Sequence, residues 1–166
     1  MKRIKRISEL DKMADTSIVI RKSSLEDLDA LEQLMKTLTE MFHKTFFKDQ
    51  WRMDMKYKYE VGGIFVAEDT TEEDNKKIVG MILVDVGRDW RSNQVIGKII
   101  NFIVDPTYQG KGVGSKLLER ALDFSAVKKA TAVRINARRE LKNPLDLFKK
   151  FGFDEIYLVM ERNLNQ

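Results

Sequence analysis

Residues 95–122 read as a strand forced to stop, a turn built on glycine, and the opening turns of an amphipathic helix. The stretch Val-Ile-Gly-Lys-Ile-Ile-Asn-Phe-Ile-Val at 95–104 is β-branched and aromatic, as a buried or half-buried strand requires. Pro106 cannot donate to a sheet ladder, so pairing has to end there. Beyond the turn, Val113, Leu117, Leu118, Ala121, Leu122 and Ala126 fall on one stripe at helical spacing. A helix that begins among glycines presents unpaired N–H groups and the positive end of its dipole. With no β-carbon at Gly110, Gly112 or Gly114, a diphosphate can approach that backbone closely.

The spacing narrows the choice of phosphate ligand. A dinucleotide fingerprint needs G-x-G-x-x-G after a first strand, whereas these glycines run G-x-G-x-G and follow a late one. A Walker loop needs Gly-Lys-[Ser/Thr] after four spacer residues, and Lys111 lies between two glycines instead. What fits is Gln-x-x-Gly-x-Gly at Gln109, Gly112 and Gly114, preceded by Val104-Asp105-Pro106. This pattern resembles the acetyl-coenzyme A loop of the GNAT superfamily of N-acetyltransferases. The plainer alternative is a glycine turn that only joins strand to helix.

A chain of 166 residues is one ordinary domain with room for a single core. No apolar run is long enough to span a bilayer. The opening Met-Lys-Arg-Ile-Lys-Arg looks like a signal-peptide start, but Ser8-Glu9-Leu10-Asp11-Lys12 occupies the place of its apolar region, so the expected location is cytoplasmic. Without cysteine there is no disulfide framework, thiol nucleophile or zinc-thiolate site, and one histidine excludes a polyhistidine metal centre, so no metal is expected. The net charge of +4 comes from short, scattered basic runs, a solvated surface rather than a nucleic-acid footprint.

Along the chain, 1–16 is a leader of undefined structure, 17–22 a short strand, and Ser23-Ser24-Leu25-Glu26 a capping box between Ser23 and Glu26. A helical stripe follows to about residue 42. Strands are expected at 64–68, 77–86 and 95–104, with an exposed turn at 69–76. After the helix from 113 come a strand at 131–137, a short helix with Asn143 as N-cap and Pro144 at its first position, and a final strand at about 153–162. Residues 17–162 are taken as one domain and 163–166 as a tail. The order β-α-(α)-β-β-β-α-β-α-β argues for an α/β (α+β) fold with a mixed sheet flanked by helices.

The GNAT resemblance covers roughly 17–162. Lys77-Ile78-Val79-Gly80-Met81-Ile82 is similar to the family's central strand, and Leu147-Phe148-Lys149-Lys150-Phe151-Gly152-Phe153 to its "[FL]Y-x-K-x-G-F" helix end. It implies a mostly antiparallel sheet with a splay between the fourth and fifth strands, filled by the pantetheine arm of acetyl-coenzyme A. Backbone groups of Phe102, Ile103 and Val104 would hold that arm. Gln109, Gly110, Lys111, Gly112, Val113, Gly114 and Ser115 would hold the pyrophosphate, and Asn143 and Phe148 complete the implied coenzyme contacts. Lys111 either supplies charge near the phosphates or is an exposed loop lysine.

Acetyl transfer to an amine needs deprotonation of an ammonium whose pKa is about 10, stabilisation of an oxyanion, and departure of a thiolate. The family often protonates the thiolate with a tyrosine, and that position is Phe148. It often places a glutamate on the strand before the loop, where this chain has Lys98-Ile99-Ile100-Asn101. Water held by Asn101, Asp85 or Glu68 could relay the proton, and Tyr157 could approach the thiolate. Asp85 is an unusual charge in an otherwise apolar strand unless it is a strand-end or solvent-facing carboxylate, the favoured reading, and packing is the favoured role for Tyr157.

Residues 41–59 fall where the family lines its acceptor side. Their alternation of large apolar and charged groups suits a cleft, or an amphipathic helix laid on the sheet. His43 is either a titrating group or an exposed loop residue. The expectation is an acetyl-coenzyme A-dependent N-acetyltransferase acting on a primary amine of a small molecule, peptide or protein. No nucleic-acid or membrane partner is expected, and a homodimer is left open. The alternative is a non-catalytic acyl-coenzyme A-binding sensor or subunit of the same fold.

Overall fold

The computed structural model describes residues 17–71, 77–160, 162 and 164. The 1–16 leader and residues 72–76 of the expected turn lie outside them, as does the 163–166 tail apart from Leu164. The chain divides into two compact units, Met1–Asn136 and Ala137–Gln166.

The first unit is built on one sheet of order β1-β2-β3-β4-β5. Its strands are β1 (Ile18–Lys22), β2 (Gly63–Asp69), β3 (Lys77–Arg88), β4 (Val95–Val104) and β5 (Ala132–Ile135). Pairing is antiparallel from β1 to β4. Only β4 and β5 run parallel, over Ile96↔Ala132 to Ile99↔Ile135. Helices α1 (Leu28–Met41) and α2 (Lys48–Val61) cover one face, and α3 (Val113–Val127) packs on β2, β3 and β4.

The α1–α2 face carries the core of Leu31, Leu34, Met35 and Met55 against Ile64, Val66, Met81, Leu83 and Ile103. Full burial of side chains of this size is worth about 1.5–3 kcal/mol each. Of residues 41–59, Met55 enters that core, with Trp51 and Tyr59 packed at its margin, while Met53 and Tyr57 face solvent. The amphipathic-helix reading therefore describes α2. His43 is exposed at φ 51° just past α1, where the left-handed conformation ends a helix.

On the other face, Val113, Leu117, Leu118 and Ala121 are buried as the stripe predicts, but Ala126 is exposed and Ser125 takes the last inward position. Ser125 returns its hydroxyl to the carbonyl of Ala121 at 2.8 Å, and Gly97 lets it sit against β4. A β-carbon at Gly97 would lie 2.7 Å from Ser125 Oγ.

Several boundaries depart from expectation. The cap before α1 is one residue later: Asp27, not Glu26, accepts the Ser24 N–H at 2.8 Å and closes a 3-10 turn (Leu25–Asp27). Asp27 is chosen because Arg21 also grips its carboxylate, with two contacts of 2.8 Å. In the second unit α4 is Lys142–Lys150 with Leu141 at the N-cap, so Asn143 lies inside the first turn rather than capping it. Proline is tolerated throughout a first turn, where no N–H has an intrahelical acceptor, so Pro144 marks that turn but not its first residue. The strand expected at 153–162 is absent among the described residues, which at 153–160 form no regular element. Strand propensity without a ladder to join does not make a strand.

Candidate coenzyme site

The site is organised by what happens on the two sides of β4. On its β3 side the ladder runs the whole strand, with one irregularity: Leu83 pairs with Asn101 and Val84 with Ile99, leaving Ile100 as a bulge. On its β5 side the ladder ends at Ile99. From Ile100 onward the β5 side of β4 therefore has no ladder partner among the described residues.

Backbone direction in this half follows from one bond. Asp105 N donates to Val79 O at 2.8 Å, which makes these two a hydrogen-bonded antiparallel pair. By alternation Ile103 and Met81 are another, while Phe102 and Val104 turn their N–H and C=O groups away from β3, towards the side that β5 has left. The side-chain amide of Gln109 meets the Val104 carbonyl there at 3.2 Å.

The turn that follows is shaped by its glycines. Asp105 caps a 3-10 turn (Pro106–Tyr108) by accepting the Thr107 N–H at 2.9 Å and its hydroxyl at 2.7 Å. Burial pushes the Asp105 carboxyl up, but these bonds and Lys77, 3.3 Å away, outweigh it and hold its pKa below the usual range. Gly112, at φ 80° and ψ −2°, is the N-cap of α3, a left-handed conformation that a β-carbon would strain. The first helical bond is Lys116 N to Gly112 O at 3.1 Å. The amides of Val113, Gly114 and Ser115 precede it and have no acceptor within the helix.

Tyr108 braces this turn. Its hydroxyl donates to Asp69 Oδ2 at 2.7 Å, and the ammonium groups of Lys77 and Lys111 stand 5.3 Å and 4.9 Å from its ring centre. Hydrogen bonds from the Thr71 hydroxyl, then Tyr108, then the Thr71 N–H lower the Asp69 pKa to about 2.

The residues singled out for proton transfer are less concentrated. Asn101 lies opposite Leu83, which places it on the α1–α2 face, while its neighbour Phe102 takes the other. Asp85 is ion-paired with Lys58 of α2. Glu68 is buried and ion-paired with Arg21. Phe148 lies on α4, its ring centre 5.7 Å from that of Phe153. Tyr157 belongs to the second unit, outside any helix or strand, and is exposed. The structure thus brings Phe102 and Val104 together with 109–115 around the Val104–Gln109 contact, directs the backbone groups of Ile103 to Met81 of β3 rather than to the open side, and puts Asn101 and Asp85 on a shared face. Sequence reasoning missed the Ile100 bulge, the Lys58 partner of Asp85 and the Tyr108–Asp69 brace. Only Tyr108, an aromatic residue in a polar turn, carried a signal.

A five-stranded mixed sheet of this order, with a glycine-started helix after β4, is the fold shared with solved acetyltransferases. The acetyltransferase (GNAT) domain matches residues 60–155, and the chain belongs to that family. It is 27% identical over 147 residues to an uncharacterized N-acetyltransferase of Methanocaldococcus jannaschii, a match covering 84% of this chain and 62% of that relative. The chain therefore spans less than two thirds of the relative's length. Among solved structures, AAC(6')-Iy in complex with the bisubstrate analogue CoA-S-monomethyl-acetylneamine has a TM-score of 0.74 at 15% identity, covering 88% of this chain and 97% of the other. Glucosamine-6-phosphate N-acetyltransferase from Arabidopsis thaliana has a TM-score of 0.69 at 21% identity, covering 89% and 98%. At these identities the likeness is one of fold.

Proposed function

We propose that this chain transfers the acetyl group of acetyl-coenzyme A to a primary amine in the cytoplasm. The observation that carries the reading is the one-sided ladder of β4: pairing with β5 stops at Ile99, and the strand runs on through a 3-10 turn to a helix start at Val113 with three forward-facing amides. The coenzyme supplies an activated acyl group on a thiolate that leaves readily. The outward backbone of Phe102 and Val104 holds the pantetheine amides as a further strand would. Amides at 113–115, and the turn from Gln109 to Gly112, seat the pyrophosphate. Lys111 adds positive charge at the rim.

In the reaction the amine nitrogen bonds to the thioester carbon, and collapse of the tetrahedral species breaks the C–S bond. An N–H of this strand edge, aimed at the carbonyl oxygen, stabilises the oxyanion; such a donor is worth about 10²–10³ in rate. The ammonium proton leaves through water oriented by Asn101, because Lys58 neutralises Asp85 and Arg21 neutralises Glu68. The small-molecule names of the aligned acetyltransferases support a small amine over a peptide as acceptor.

The reading is tested by thiol release from acetyl-coenzyme A that depends on added amine. Rates at low acceptor should climb about tenfold per pH unit between about 7 and 9, tracking the free amine. Phe148 favours a second reading, a coenzyme-binding module, since it has no proton to give. Coenzyme binding without release from any amine or peptide would select that reading. If Phe148 holds the proton donor's position, Phe148→Tyr raises turnover and leaves coenzyme affinity unchanged.

A further inference from the structure

A cleft of about 410 Å³ opens on the α2 side of the sheet before the bulge. Lys58 and Tyr57 of α2, Asp85 and Arg88 of β3, and Ile96 and Lys98 of β4 line it. Its charges do not cancel. Lys58 holds the Asp85 carboxylate. Asp89, also in the wall, is held by Arg134 at 3.0 Å, and Arg134 is not part of the lining. Arg88, three regular residues beyond Asp85 on β3, turns its side chain to the other face and donates to Asn93 oxygens at 2.9 Å and 3.2 Å. Lys98 stands directly across the ladder from Asp85 and forms no ion pair among the described residues. Among the described residues one cation on this face, Lys98, is therefore left over, beside an apolar floor at Ile96, which is 2% exposed.

The bulge connects this cleft to the reaction centre. Residues three apart on a regular strand face opposite ways, but with Ile100 displaced, Lys98 and Asn101 share the α1–α2 face. Their Cα atoms are at most about 10 Å apart along the strand.

We infer that the acceptor is an anionic amine, a carboxylate or phosphate at one end held by Lys98 while its amino group reaches the thioester beside Asn101. This rests on the acetyl-transfer reading for the position of the amine, but the anion site stands or falls by itself. A tail of either kind would be recognised by the same charge-assisted bonds.

The test compares matched probes: 6-aminohexanoate with its amide, and phosphoethanolamine with ethanolamine. Binding is followed by calorimetry in the presence of coenzyme A, where no transfer occurs, and thiol release from acetyl-coenzyme A is measured separately. At least one anionic probe should bind about tenfold or more tightly than its neutral match. Which pair shows it separates carboxylate from phosphate. Lys98→Gln should erase the preference and Lys98→Arg retain it, while Lys56→Ala, at an exposed α2 lysine outside the cleft, leaves it intact. Equal binding of neutral and anionic members, no binding of any probe, or a preference that survives Lys98→Gln in folded protein overturns the inference. An anion preference lost in Lys98→Gln, with no thiol release from any amine, would keep the anion site and remove the transferase reading. Release without anion preference would do the reverse.

Discussion

Gln109 and Val104 are joined across the start of the turn, the side-chain amide of one donating to the backbone carbonyl of the other at 3.2 Å. The bond uses the outward-facing carbonyl of the last residue of β4. It therefore orders the turn that leads to α3 and leaves the Val104 N–H as that residue's group for a bound amide. Gln109→Leu keeps the bulk and loses the donor. Coenzyme affinity should fall by about fivefold to tenfold, the worth of one hydrogen bond, with thermal stability unchanged. Calorimetry beside a melting curve checks both.

Gly112→Val tests the seat more severely. The residue sits at φ 80°, and a branched side chain there is both strained and in the way of an approaching phosphate. Binding of acetyl-coenzyme A should be lost at concentrations that saturate the parent, while the far-ultraviolet spectrum remains that of a folded chain. Folded Gly112→Val with unchanged affinity would remove the pyrophosphate from this turn.

The Tyr108–Asp69 contact sets a pH dependence with a definite sign. Asp69 titrates at about 2 in the folded chain, below its usual value of 3.8, so its bonds stabilise the fold above about pH 4. That contribution disappears as the pH falls through 2 and the carboxylate is protonated. Tyr108→Phe removes one of the bonds responsible. Urea midpoints of parent and variant should differ at pH 6 and converge on acidification; a difference that grew towards low pH would contradict the assignment.

Gly97→Ala should destabilise the first unit by about 1–3 kcal/mol, the usual cost of overpacking. The new methyl would meet Ser125 Oγ at 2.7 Å and Val133 Cγ2 at 3.2 Å. Ser125→Ala in that background removes the first clash and not the second, so part of the loss should return. Urea denaturation of the two variants and the parent provides the comparison.

The strand, turn and helix over residues 95–122 could be read in advance because backbone geometry writes itself into composition. Pro106 had to end a strand, and the 110–114 glycines had to begin a helix. The α2 side of the sheet could not, because there the deciding facts are pairings between distant segments. Nothing near Lys98 announces that Ile100 will bulge, which is what brings Lys98 and Asn101 to one face. Asp85 looked anomalous in an apolar strand, but only the approach of α2 supplies Lys58. The run at 156–160 shows the opposite failure: Ile-Tyr-Leu-Val-Met has every local mark of a strand and no ladder.

The early end of the β4–β5 ladder also bears on how turnover would slow. A strand edge reads amides at a fixed spacing and is indifferent to what hangs from the distant sulfur. Both amides of the pantetheine arm survive the reaction, so the spent coenzyme leaves with its strand contacts intact and can return to the same groove. For a coenzyme seated along this edge as proposed, the expected consequence is product inhibition by free coenzyme A, competitive with acetyl-coenzyme A.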